Sequence, residues 1–277
     1  MSLRKSGIGA GVAAAVLALS TTAALALPHN YQLGMQPAVS PVMDRIEEFH
    51  QELVVIITLI TLFVGALMLW IVIRYNKRAN PVPSKTHHNT LLEVAWTVIP
   101  VIILVIIAVP SFKLLYFEAA IPKPDLTIKA IGKQWFWTYE YSSEGKFQYD
   151  SLGLSDDAAK KANEPRLLGV DNVVVVPVNK VVEIDTTGAD VIHSWAVPQF
   201  GVKMDAVPGR INRTWFKATE IGTYYGECSE LCGAKHAFMP IEVKVVSDAD
   251  YATWLAGAKK KYAAIDNGDT NTRLAAQ

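Results

Sequence analysis

Two uninterrupted apolar runs dominate the first half of the chain. Leu53 to Ile73 contains no charged residue and ends at Arg74, and Val94 to Phe112 likewise ends at Lys113. A helix needs about 20 consecutive apolar residues to cross a bilayer, and both runs are apolar on every face rather than on one stripe. The pattern predicts transmembrane helices at 53–73 and 91–113, joined by a loop at 74–90. Ser40-Pro41 places a capping residue before a proline at the first helical position, so a helix is expected to run from there, through the end of the N-terminal segment 27–52, into the first span. Thr90-Leu-Leu-Glu93 has the form of a capping box opening the second helix, which Pro100 and Pro110 should kink.

From Pro122 the pattern changes to short β-rich runs: Leu126–Ile131, Trp135–Tyr141, Val173–Val178, Val181–Asp185, Thr214–Ala218 and Ile241–Val246. Glycine and proline punctuate them at turn positions, which predicts an all-β sandwich or barrel over 122–247. Between Ser142 and Leu168 the chain reads as a surface excursion with a short helix over Ser155–Ala162. Ser247 can cap a last helix in which Tyr251, Trp254, Leu255, Ala258 and Tyr262 form one apolar stripe, within a C-terminal helix and tail at 248–277. Asp248 and Asp250 at its start and Lys259, Lys260 and Lys261 near its end complement the helix dipole.

Charge sets the orientation. Arg74, Lys77, Arg78 and Lys85 cluster in the loop between the spans, whereas Asp44, Glu47, Glu48 and Glu52 approach the first span, so the loop is expected to be cytoplasmic and both termini outside. Arg4 and Lys5 precede an Ala/Val/Leu-rich stretch reaching Ala24-Leu-Ala26, the pattern of a signal peptide at 1–26. Its removal takes the 26 basic residues to 24 against 26 acidic ones, a mildly acidic mature chain for which nucleic acid is not an expected partner.

The only two cysteines fall in Cys228-Ser-Glu-Leu-Cys-Gly-Ala-Lys-His-Ala-Phe-Met239. Thiolate, thioether and imidazole together favour copper, and His193 in Asp190-Val-Ile-His-Ser-Trp195 offers a further imidazole from a neighbouring strand. Two thiolates can bridge a pair of copper ions, which suits electron transfer. Cysteine usage alone leaves two other readings: a disulfide in an exported protein, and a Cys₂His₂ zinc site using His193 and His236. His236 and Met239 at loop spacing, with Gly226, Gly233 and Pro240 beside them, favour a ligand loop, and ligand softness favours copper over zinc.

Two N-terminal spans, an exported β domain, Gln134-Trp-Phe-Trp-Thr-Tyr-Glu-Tyr141, His193-Ser-Trp-Ala-Val-Pro198 and the Cys228 to Pro240 loop together resemble subunit II of the aa3-type haem-copper cytochrome c oxidases. The resemblance covers nearly the whole mature chain, and the export signal and the Ser142 to Leu168 insert look alphaproteobacterial. It implies a two-helix transmembrane hairpin followed by an all-β cupredoxin-like Greek-key barrel. It also implies a binuclear copper centre, copper A, held by the side chains of His193, Cys228, Cys232, His236 and Met239 and the main-chain carbonyl of Glu230. The implied function is acceptance of electrons from cytochrome c and delivery to haem a in subunit I, for reduction of oxygen to water coupled to proton pumping. Subunits I and III are the implied neighbours, in a bacterial inner membrane with the copper domain in the periplasm.

Several residues carry two readings. Glu230 is an ordinary surface carboxylate or, by the resemblance, a ligand to a magnesium or manganese ion shared with subunit I. Trp135 is strand packing or, by the resemblance, the point of electron entry, while Trp137 is expected to face inward. Glu93 serves helix initiation, or lies at the mouth of a proton-uptake route. Glu140, Asp171 and Asp190 are solvated acids or part of an acidic face that steers a basic donor. Arg210 and Asp205 are implied to face subunit I, and His87 and His88 read as a solvated pair. A quinol-oxidase subunit without metal is disfavoured because both cysteines are present, a nitrous-oxide reductase because no second copper domain follows, and a tethered copper chaperone because of the two spans and the Trp135 motif.

Overall fold

The computed structural model describes residues 32–262; the signal peptide expected at 1–26 and the tail beyond 262 lie outside them. Two long helices come first, α1 (Pro41–Arg74) and α2 (Thr90–Ala119), and no part of either one's most apolar window is buried. Their exposed apolar surface is what lipid or neighbouring membrane helices would cover. Ser40 caps α1 as its sequence predicts, its hydroxyl accepting from the Met43 N–H at 3.1 Å with Pro41 in the first turn. The capping box expected at Thr90–Glu93 does not form. Asn89 caps α2 instead, accepting from the Leu92 N–H at 3.2 Å, and Glu93 turns to His88, whose Nδ1 lies 2.8 Å from its carboxylate. Asn and Thr are both good caps, and one residue of register decides which is used.

The β domain holds two five-stranded sheets. In the first, the order is β3 (Phe147–Ser151), β2 (Phe136–Tyr141), β1 (Leu126–Lys133), β5 (Val182–Gly188) and β8 (Asn212–Phe216). In the second it is β4 (Val174–Pro177), β10 (Pro240–Val246), β9 (Gly222–Cys228), β6 (His193–Val197) and β7 (Val202–Ala206). β1 with β5, and β4 with β10, pair in parallel, and the other neighbours are antiparallel. These are the crossovers of a cupredoxin-like Greek-key barrel. Three strands, β3, β7 and β9, are not signalled by the sequence, and β6 is signalled only as the strand expected to carry His193. β6 is buried at all five positions, so no alternation marks it, and β9 runs Tyr224-Tyr225-Gly226 with all three buried. β3 lies inside the segment that reads as surface, where Phe147 and Tyr149 turn inward beside β2.

Strand alternation builds the core. Leu126, Ile128 and Ala130 of β1, Val182 and Ile184 of β5, and Ile241, Val243 and Val245 of β10 point between the sheets. Trp137 and Trp195 are fully buried among them, each contributing on the order of 2–3 kcal/mol by area removed from water. Helix α4 (Asp248–Tyr262) packs its Tyr251, Trp254, Leu255, Ala258 and Tyr262 stripe against this core, and Ser247 caps it by accepting from the Asp250 N–H. The excursion carries helix α3 (Asp156–Ala162) and closes on itself through the Gly153–Val170 bridge.

The barrel is fastened to both long helices. Val39 exchanges backbone bonds with Gln199 and Thr219, and Ser40 Oγ donates to the Phe200 carbonyl at 2.7 Å. At the end of α2 the Trp215 indole donates to the Glu118 carbonyl at 3.1 Å, Phe117 meets Trp215 edge-on at 5.5 Å, and the Arg45 guanidinium of α1 sits 3.6 Å over the Phe117 ring. These contacts join the barrel to both helices of the hairpin.

Candidate metal centre

β9 ends at Cys228 and β10 begins at Pro240, so residues 229–239 form a hairpin loop whose base is locked. The Cys228 N–H donates to the Met239 carbonyl at 3.0 Å, and the Ser229 N–H donates to the Ser194 carbonyl of β6 at 3.0 Å. That second bond brings the loop beside His193, which opens β6 and is fully buried. His193, Cys228 and Cys232 offer ligand atoms that all lie within 4.8 Å of one another. The two sulfurs are 3.8 Å apart, and both thiols are free and buried. Nδ1 of His193 lies 3.9 Å from the Cys228 sulfur, and Nδ1 of His236 lies 3.5 Å from the Cys232 sulfur. Met239 is 1% exposed beneath the loop, and the Glu230 carbonyl lies 3.3 Å from the Cys228 sulfur.

The electrostatics of this cluster favour cations. Burial pushes the Cys228 thiol up, yet hydrogen bonding from His193, from the backbone at Glu230 and Ser194, and from His236 outweighs burial and holds it below its ordinary value. Cys232 moves the other way, raised by burial and then by the negative charge of Cys228. Two thiolates this close do not both ionise without added positive charge. Burial lowers the His193 imidazolium, but its bonds with Cys228 and Asp190 reverse the effect and raise it. Asp190 Oδ1 lies 2.8 Å from His193 Nε2, which turns Nδ1 toward the sulfur. Thiolates, imidazoles and a buried thioether form a donor set that fits copper.

Trp135 sits with Gln134 in the turn between β1 and β2, partly buried against the metal loop. A Cβ on Gly233 would come within 3.1 Å of the indole, so the ring lies directly on the loop backbone, and Lys235 stands 5.8 Å over its face. Trp137, two residues on, faces inward as expected and meets His193 edge-on at 6.0 Å.

The remaining candidates are dispersed. Glu230 is exposed at the loop surface. Glu140 lies half-buried on β2 with the Ser142 hydroxyl 3.3 Å away. Asp171 is exposed, yet it accepts from the Leu152 N–H at 2.7 Å and so closes the root of the excursion. Asp190 accepts from the N–H groups of Gln134 and Val191 as well as facing His193. Glu93 is not brought near the metal cluster; it occupies the first turn of α2, a helix of 30 residues spanning about 45 Å, whose far end leads into the barrel. His87 and His88 are both exposed, but His88 is bonded to Glu93 and Thr90 rather than only to water. Asp205 is paired with Lys203 at 3.4 Å, and Arg210 is exposed in the turn after β7.

Sequence reasoning missed two contributors. Gly132 is the first: a Cβ there would come within 2.6 Å of the His193 ring, so glycine makes room for the imidazole. Gln134 is the second, its side-chain amide donating to the Cys232 carbonyl at 2.8 Å. The pairing of β1 with β5 is the information that places both, and it joins residues more than 50 positions apart.

Fold and site together define a membrane-anchored cupredoxin-like protein with a buried His/Cys cluster that could hold a soft metal. Residues 28–114 match the family described as cytochrome c oxidase subunit II, transmembrane domain, and residues 126–246 match cytochrome c oxidase subunit II, periplasmic domain. A probable cytochrome c oxidase subunit 2 from Rickettsia bellii is 51% identical over 249 residues, covering 90% of this chain and 91% of that one. The cytochrome c oxidase subunit 2 of Cereibacter sphaeroides is 43% identical over 270 residues, covering 90% and 89%. Among solved structures, the periplasmic domain of subunit II of the Bradyrhizobium japonicum oxidase is 59% identical, covering 52% of this chain and 99% of that one with a TM-score of 0.49. The chain belongs to the cytochrome c oxidase subunit II family and is part of an oxidase complex.

Proposed function

We propose that this chain accepts single electrons from a cytochrome c and passes them to haem a in subunit I, where oxygen is reduced to water with proton pumping. The observation that carries the reading is the pair of free, buried sulfurs 3.8 Å apart, each facing its own histidine Nδ1. His193, Cys228, Cys232, His236 and Met239 would hold a copper pair, with the Glu230 carbonyl as the sixth donor. Bound there, copper A supplies a one-electron acceptor whose geometry changes little on reduction.

The chain's own residues do the rest. Asp190 orients His193, the barrel keeps water from the thiolates, and Trp135 presents its indole as the entry point for the donor. Glu140, Asp171 and Asp190 add an acidic face that raises the encounter rate with a basic cytochrome c and makes it salt-dependent. The Glu230 carboxylate, exposed beside the ligands, is the side chain for a magnesium or manganese ion shared with subunit I. Glu93, paired with His88 at the opposite end of α2, serves proton uptake from the cytoplasmic side. The hairpin anchors the chain in a bacterial inner membrane beside subunits I and III, with the copper domain in the periplasm.

The test is metal content and turnover of the natively purified complex. The reading expects two copper ions on this subunit and slowed oxidation of cytochrome c in Trp135→Phe with copper retained. Zinc in place of copper, or the two sulfurs joined to each other with no copper, contradicts it.

A further inference from the structure

Packing alone holds the Trp135 side chain, with no hydrogen bond to it among the described residues. It lies in a turn outside the β1–β2 ladder, and its indole Nε1 is buried with no hydrogen-bond partner among the described residues. Lys235, over the face of its ring, is itself exposed. Electron transfer falls off steeply with separation, so an entry residue needs a fixed seat.

We infer that Gln134 is the positioning residue that seats the Trp135 indole against the metal loop, by bridging the two segments that carry the ligands. The side-chain Nε2 donates to the Cys232 carbonyl at 2.8 Å. The backbone N–H of the same residue donates to Asp190 Oδ2 at 2.7 Å, and the other oxygen of that carboxylate faces His193 Nε2 at 2.8 Å. One residue thus ties the Trp135 turn both to the loop bearing Cys228, Cys232, His236 and Met239 and to the segment leading to His193. Gly233 makes the close approach possible. Its φ of +127° suits glycine, and a Cβ there would meet Gln134 Nε2 at 3.0 Å and the indole at 3.1 Å.

The chemistry asks for an amide at position 134. The Cys232 carbonyl can only accept, so the partner must donate. Gln134→Glu keeps size and shape but sets a carboxylate oxygen against that carbonyl, breaking the latch while leaving the backbone bond to Asp190 in place.

The inference rests on the reading of Trp135 as the entry point, and three variants of the purified complex separate the two claims: Gln134→Glu, Gln134→Ala and Trp135→Phe. With reduced cytochrome c, both Gln134 variants should lower kcat about tenfold by misplacing the indole, with KM, copper content and the copper spectrum unchanged. Hydrogen–deuterium exchange on the metal-free subunit should quicken in both variants at two separated places, residues 133–136 and residues 229–234. Parent-like kcat in Gln134→Glu while Trp135→Phe is slow overturns the positioning role. So does loss of copper in the Gln134 variants, which would make the residue a support for the loop alone. Parent-like turnover in Trp135→Phe overturns the entry-point reading and this inference with it.

Discussion

The imidazole of His193 rests on the backbone of Gly132, so closely that an added Cβ would stand 2.6 Å from ring Cδ2. The ring is fully buried, and its Nε2, beside Cδ2, is held 2.8 Å from Asp190, which limits how far it can retreat. Gly132→Ala is therefore expected to displace Nδ1 from the Cys228 sulfur, lowering copper occupancy and destabilising the barrel by about 1–3 kcal/mol, as overpacking does. Copper per chain and denaturant unfolding measure the two effects. Full occupancy with parent stability would show that the ring can move aside.

Asp190 is expected to matter through the ring it orients. Asp190→Ala removes the partner of His193 Nε2 together with the acceptor of the Gln134 and Val191 N–H groups. Loss of such an outer partner weakens metal affinity by about 10–100-fold. Competition with a copper chelator reads this directly, and an unchanged affinity would reduce Asp190 to a surface acid.

Glu242 carries a pH dependence. It lies 4% exposed on the outer face of β10, opposite Tyr225 and beneath the excursion, and accepts from the Val170 N–H at 3.0 Å. Its carboxyl is raised to about 7: burial, the largest cause, outweighs the Val170 bond that lowers it, the Glu164 charge adds to the rise, and Lys244 lowers it. The folded chain thus holds this proton more tightly than the unfolded chain. The stability this contributes is fully present below the unfolded value of 4.5 and is lost as pH rises through about 7. Glu242→Gln should match the parent near pH 4.5 and exceed it by on the order of 3 kcal/mol at pH 8. Parallel melting curves across that range would contradict the assignment.

Ser40 joins the hairpin to the barrel with one hydroxyl, which caps α1 at Met43 and donates to Phe200. Ser40→Ala should cost about 1–2 kcal/mol and quicken hydrogen exchange around residues 39–46, leaving the copper spectrum unaltered. Exchange confined to parent levels would show that Val39 and its backbone bonds suffice.

How far the chain could be read from sequence depends on the range of the signal. The two spans, the Ser40 cap and the α4 stripe are local patterns, and each is present in the structure. The Cys228–Met239 cluster stands out for the same reason, since five of the six donors proposed for copper fall within it and cysteine occurs nowhere else. His193 stood out as the one histidine between the spans and that loop. Gln134 and Gly132 were not legible in their roles, because nothing local announces that β1 pairs with β5 and passes beneath His193. Glu242 alternates with Ile241 and Val243 like any outward residue of a strand, and only the excursion folded over it makes it buried. β6 was expected only as the strand carrying His193, and its bounds escaped notice because both its faces are covered, which erases the alternation that marks a strand.

Electron paramagnetic resonance of the natively purified, oxidised complex tests the copper pair most directly. The account predicts a hyperfine pattern from one electron shared equally by two copper nuclei, lost when either Cys228 or Cys232 is changed to serine. A pattern from a single copper nucleus, or one that survives loss of either cysteine, would contradict it.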